Sequence, residues 1–427
     1  MRTSLRIAVA AFFIATLVVA TGRFAPAKSP VADAAAHRAN VTLQQWYHQY
    51  GEAGTHDAVL RFAQEYEQKT GVKVVVTWVL GQGQYGPKLN TALLGSNPPD
   101  VYEGSPSVAA VKAGQVTPLD DLFTPQVKND FDPHALAENT IDGHIYAVKM
   151  LVDTGVIYYR KSLFKKAGIT HPPTTFAELL VDAKKLTKGG VKGLFIGNDG
   201  GISIGDGPLP WSAGIEFLNK TGDKVTFDNA RTVKAWEALR TLNKAGVLLL
   251  GAPIDWWDPS AFTQGLAAMQ WCGLWAMPGV RKGVGNDFGV VAWPALDGQG
   301  KPATFWGGWS EMVNGHSKHI KEAKAFVRWL WIENTKAQIE WNTAYGFHVP
   351  PRKSAVATAN KLETGQARDA VAILRKYSHN TPPTWDAAMQ TALDDAVAKV
   401  IKTNQSITQL VHSAAKKAQA ELNRELK

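Results

Sequence analysis

The sequence predicts an α/β protein long enough for two lobes. Three observations lead there. The chain has 427 residues, too many for one small core and enough for two lobes. Its 45% hydrophobic and 19% charged content is that of a globular protein, not a disordered one. Its first ordered stretch then reads strand, helix, strand with short links, the pattern of a parallel α/β layer.

The amino terminus reads as a leader over residues 1–36. Arg2 and Arg6 precede an apolar run from Ile7 to Ala20, shorter than the roughly 20 residues a spanning helix needs. Small residues follow, with Ala-x-Ala points at Ala25–Ala27, Ala32–Ala34 and Ala34–Ala36, as in a secretory signal. No cysteine follows the run, so a lipid-anchored terminus is not expected. The protein is expected outside the cytoplasm, in the periplasm or at the cell surface, released or held by an uncleaved leader.

Val41 to Tyr47 reads as the first strand and Asp57 to Gln68 as an amphipathic helix that Gly71 stops. Val72 to Leu80 reads as a second strand. Gly81-Gln82-Gly83-Gln84-Tyr85-Gly86 has the form of a dinucleotide fingerprint. The strand before it is the second of its unit and Pro87 follows at once, so a nucleotide role is rejected. Asp100 is expected to cap or turn the chain before a strand at Val101-Tyr102, with Glu103 at that strand's end.

Val152 to Gly190 carries the densest signals. Val156, Ile157, Tyr158 and Tyr159 suit a buried strand. Pro172 and Pro173 forbid helix. Thr175 and Glu178 form a capping box, and Phe176, Leu179, Leu180, Ala183 and Leu186 then share one helical face. Asn198 to Pro210, rich in Gly and Asp, lacks the spacing of a calcium loop and is expected as a solvated loop. Helices are expected over Ala230–Ala245, Ile320–Trp331, Thr335–Thr343, Trp385–Val400 and Ile407–Leu426.

The wording of these segments resembles family 1 extracellular solute-binding proteins, the substrate receptors of bacterial and archaeal ABC importers, many of them for sugars. YYRKSLFKKAGI followed by PPTTFAELL matches the family's Tyr-Asn-Lys-x-Leu-Phe-x-x-Ala-Gly and Pro-Pro-x-Thr-x-x-Glu-Leu, with Arg160 where Asn is common. KLNTALLGSNPPDV, PSAFTQGLAAM, TFWGGWSEMV and YGFHVPPR match further family elements. The resemblance covers nearly everything after Val41. It implies a type II periplasmic-binding-protein-like fold, with a ligand cleft between two lobes. Residues 37–152 with 306–350 would form one lobe, and 153–305 with 351–427 the other. It also implies a monomer that docks on membrane permease subunits.

The formal charge is +9. Four basic residues and one acidic residue lie before His37, which leaves +6 for the remainder. No basic run interleaved with aromatics occurs, so nucleic acid is not an expected partner. The single cysteine, Cys272, lies in an apolar setting without metal-ligand partners at motif spacing. No cofactor and no metal are expected.

The chain has 15 tryptophans. Trp236, Trp329 and Trp331 are expected in the core. Trp46, Trp211, Trp256, Trp257, Trp275, Trp306 and Trp309 fall at strand ends and in Gly/Pro-rich links. A sugar presents a flat patch of C–H bonds ringed by hydroxyls, which an aromatic face and polar neighbours complement. Candidate polar partners are His48, Gln84, Glu103, Asp153 and Arg352, with Tyr85 and Tyr345 on the same loops. The expected function is a sugar or oligosaccharide receptor that closes by hinge bending. A receptor for another polar solute, a glycerophosphodiester or a polyamine, is the alternative. A glycosidase is the different-class rival, and it would have to use Glu103 and Asp153 across the cleft.

Overall fold

The structure is a computed structural model that describes residues 41–427. The expectations for the leader therefore lie outside the described residues.

The first lobe is built on a five-stranded sheet. Strand β1 (Thr42–His48) leads to helix α1 (Thr55–Thr70), which Gly71 ends in the left-handed conformation that glycine adopts freely. β2 (Lys73–Val79) is followed by α2 (Tyr85–Leu93), and β3 (Val101–Gly104) by α3 (Val108–Lys112). β4 (Ala147–Lys149) completes this part of the chain. β1 pairs in parallel with both β2 and β3, as the strand–helix–strand reading requires.

The second lobe begins with β5 (Gly155–Tyr159), whose Val156, Ile157 and Tyr158 are fully buried. Helix α4 (Phe176–Leu186) starts at the capping box, with both Thr175 and Glu178 bonds formed. β6 (Lys192–Phe195), α5 (Ala230–Lys244), β7 (Ala267–Gly273) and β8 (Gly289–Val291) follow. The sheet order is β8-β5-β7-β6, with β5 antiparallel to both neighbours and β6 parallel to β7.

The chain then returns. β9 (Ser310–Val313) inserts antiparallel between β3 and β4, so the first sheet reads β2-β1-β3-β9-β4. α6 (Ile320–Arg328) packs on that lobe. Helices α7 (Gly365–Tyr377), α8 (Ala387–Lys402) and α9 (Ile407–Glu425) close the second lobe. Helix α7 is an element that the sequence analysis did not identify.

Three chain segments cross between the lobes and are bonded side by side. Residues 150–153 run in the middle. On one side Met150 N donates to Trp309 O at 3.0 Å and Gly307 N to Asp153 O at 2.9 Å. On the other, Val152 and Val349 exchange bonds of 2.9 and 2.8 Å. Gly308, at φ 100°, sits so close that a Cβ there would lie 2.3 Å from Leu151 O. The lobes also meet where Val108 N approaches Pro383 O at 3.4 Å and the Lys112 ammonium donates to the main-chain carbonyl of Glu425.

One expectation fails here. Asn198 to Pro210 is not a solvated loop. Ile202–Gly205 and Pro208–Ser212 are short helices, and Leu209, Pro210 and Trp211 are buried. Gly200 and Gly201, both at positive φ, let the backbone press against Asn243, Ile196 and Leu239, an approach that a Cβ would block.

Candidate functional site

The cleft lies at the crossing. The ends of β1 and β7 and the three crossing segments bring His48, Asp153, Trp257, Trp275, Trp309 and His348 together with the link 49–52. They surround about 410 Å³ of space, part of it open to solvent. Its enclosed part is only about 80 Å³, smaller than a typical closed ligand pocket.

The first-lobe wall is a layered aromatic and carboxylate structure. Trp309 stacks on His48 at 4.1 Å between ring centres, and the Tyr50 ring, tilted against it, lies 4.0 Å from the His48 ring centre. Behind them Glu103 is fully buried. Its Oε2 accepts from His48 N at 2.8 Å and faces His48 Nδ1 at 2.7 Å, while Tyr50 donates its hydroxyl to Oε1. Burial, then the Glu103 charge, hold the Tyr50 hydroxyl well above its ordinary pKa, so it stays a donor. Tyr85 clamps the Glu103 main chain, accepting from its N–H and donating to its carbonyl at 3.0 Å each.

The floor is an ion cluster on the crossing segments. His348 Nδ1 lies 2.8 Å from Asp153 Oδ1 and Nε2 lies 3.1 Å from Glu52 Oε1. Burial alone would favour the neutral ring. The two carboxylates outweigh it and raise the pKa to about 10, so the imidazolium is the resident form at neutral pH. The second-lobe wall is Trp257 and Trp275, locked by a 2.9 Å bond from Trp275 Nε1 to Trp257 O.

Of the fourteen candidates named from sequence, the cleft gathers His48, Asp153, Trp257, Trp275 and Trp309, while Trp46 packs half-buried on a first-lobe apolar cluster outside it. Glu103 and Tyr85 lie one layer behind and shape His48 and Tyr50. The others stand elsewhere. Gln84 is exposed. Trp211 is buried in the second-lobe core, stacked on His379 at 5.3 Å. Trp256 packs against that core beside Trp275, and Trp306 lies against His134. Tyr345 donates to Glu340 at 2.5 Å. Arg352 is tied to Asp130 and to the Ile332 carbonyl, which satisfies its guanidinium away from the cleft. Sequence reasoning missed Gln49, Tyr50, Glu52 and His348. The position of Glu52 just beyond β1, and the histidine inside YGFHVPPR, were the available signals. Among the described residues no cluster of His, Cys, Asp and Glu is arranged to hold a metal, and Cys272 is buried with its thiol pKa raised.

Two α/β lobes joined by three crossings, with one aromatic-walled cleft at the crossing, define a two-lobe cleft-binding protein. The profile of the bacterial extracellular solute-binding protein family matches residues 52–330, and the chain belongs to that family. A probable ABC transporter-binding protein of Deinococcus radiodurans is 33% identical over 48% of this chain, a match that spans about half, 51%, of that protein. The diacetylchitobiose binding protein of Streptomyces coelicolor is 27% identical over 76% of this chain and 77% of its own. The sn-glycerol-3-phosphate-binding periplasmic protein of Pectobacterium atrosepticum is 26% identical over 79% of each. Among solved structures, a solute-binding protein from Thermotoga lettingae bound with α-D-tagatose has a TM-score of 0.78 at 21% identity, covering 90% of this chain and 100% of that one. No helix among the described residues is long and apolar enough to cross a membrane.

Proposed function

We propose that this protein is the extracytoplasmic receptor of an ABC importer and carries a sugar or short oligosaccharide in the cleft between its lobes. The observation that carries this reading is the composition of the cleft. Three tryptophans from both lobes face a floor of fixed hydrogen-bond acceptors and a charged imidazole, which suits flat C–H faces and hydroxyl rims. Side-by-side crossings give the lobes a common hinge. A ligand that touches both walls stabilises the closed form, and that form is the one a permease would accept.

The cleft disfavours a phosphodiester. No lysine or arginine lines it, and two carboxylates do. An anionic phosphate would want several cationic donors there. It also disfavours glycoside hydrolysis. Glu103, the partner that Asp153 would need, has both carboxylate oxygens occupied by Tyr50 and His48 and is fully buried. Binding without chemistry fits these constraints.

Thermal shift against a carbohydrate panel tests the proposal, since a ligand at 100 times its Kd adds about 2.7 kcal/mol of stability. A shift with at least one sugar is expected. A shift with a glycerophosphodiester or a polyamine and with no sugar would overturn the carbohydrate reading.

A further inference from the structure

The cleft carries more negative charge than it neutralises. Asp153 and Glu52 line it, with side chains 7% and 9% exposed, and Glu103 lies immediately behind. Among the described residues, only two imidazoles, His348 and His48, pair with these three carboxylates. Even with both rings protonated the acids are in excess by one. The free capacity is also specific. Asp153 and Glu52 each give one oxygen to His348, and Asp153 Oδ2 and Glu52 Oε2 accept no bond from any described residue. Neither oxygen is sealed from solvent, so each is free to accept from a ligand that enters the cleft. A hydroxyl would fill one site and leave the charge. An ammonium would fill it and cancel the charge, and the indole faces of Trp257, Trp275 and Trp309 on the same pocket attract a cation further.

Resting on the reading of the cleft as a sugar site, we propose that its ligand is an aminated sugar bearing a positive charge, and that Glu52 and Asp153 read the amine. The floor then acts as the specificity element, while the tryptophan walls hold the sugar ring and add to the attraction for its charge. His348 holds the two carboxylates apart and fixes which of their oxygens face the ligand.

Calorimetric titration of the full chain with matched pairs tests this: glucose against glucosamine, galactose against galactosamine, mannose against mannosamine, and cellobiose against the disaccharide of two β-1,4-linked glucosamines. In at least one pair the amine is expected to bind about tenfold or more tighter, the scale of one partly screened ion pair. N-acetylation of that amine should abolish the advantage. Glu52→Gln, which keeps shape and removes one charge, should shrink the preference while the melting curve stays cooperative. Equal or tighter binding of the neutral member in every pair that binds would overturn the charge inference and leave the sugar receptor standing. Failure of all pairs, with a shift on spermidine or glycerophosphocholine, would overturn both. A preference that Glu52→Gln leaves unchanged would overturn the role given to Glu52.

Discussion

Glu311 and Glu103 stand directly opposite each other on neighbouring antiparallel strands, and both are fully buried. Glu103 takes its donors from His48 and Tyr50. Glu311 takes its own from Gln45 Nε2 at 3.1 Å and Trp331 Nε1 at 2.8 Å. Burial first, and the Glu103 charge second, push the Glu311 carboxyl up to about 8 from 4.5. The folded state therefore keeps a proton that the unfolded chain releases. The Glu311 contribution to stability should fall as pH rises from about 4.5 to about 8 and be fully lost beyond. Melting temperature measured against pH checks this, and Glu311→Gln should flatten that part of the profile.

His348 contributes with the same sign in a later window. Its raised pKa means that its stabilising charge is complete below 6.5 and lost as pH climbs through about 10. The two effects overlap between about 6.5 and about 8, so the steepest fall is expected there. His348→Gln leaves Asp153 and Glu52 without a cation and should cost about 3–5 kcal/mol at pH 6, as read from denaturant unfolding.

Two glycines beside the cleft should respond in opposite ways. A Cβ on Gly273 would lie 1.9 Å from the Trp275 ring, whereas one on Gly51 would meet the Trp257 ring at 3.8 Å. Gly273→Ala is expected to displace Trp275 and weaken sugar binding by tenfold or more, about 1.4 kcal/mol. Gly51→Ala should bind within about twofold of wild type, since the contact is an ordinary van der Waals distance. Calorimetry on both variants with the best sugar from the panel decides.

Trp309→Ala removes the ring that lies on His48 and one wall of the cleft. Losing a half-buried aromatic wall of this kind should cost about 1.5–3 kcal/mol of binding. Tryptophan fluorescence titration should show a Kd raised by about ten- to a hundredfold.

The contact between Lys112 and the Glu425 carbonyl joins the lobes away from the hinge. Lys112→Ala should shift the ligand-free protein toward the open form by about 1 kcal/mol, seen as a larger radius of gyration in solution scattering.

Much of the scaffold was legible because local rules and tertiary packing agree there. The β-branched and aromatic run at Val156–Tyr159 reads as a buried strand from its own composition. The capping box at Thr175 and Glu178 needs no distant residue. The cleft floor is different. Glu52, Asp153 and His348 come together from three separate segments, and no spacing along the chain announces that meeting. Tryptophan also misleads, because the same ring that suits a sugar suits a core. Trp211 shares its Gly/Pro-rich setting with Trp257, yet it stands in the short helix Pro208–Ser212 and faces the second-lobe core. Arg352 was drawn away by Asp130, a residue that no motif marked.

The three adjoining crossings have a consequence for how this molecule can be taken apart. Each lobe is assembled from pieces that are not consecutive in the chain, so neither can be expressed as a simple fragment. A single proteolytic nick in one crossing would leave the two others as covalent bridges, with the nicked ends still paired to their neighbours. The halves should stay associated and should still respond to ligand, and new chain termini placed by permutation within 305–308 should yield a working protein.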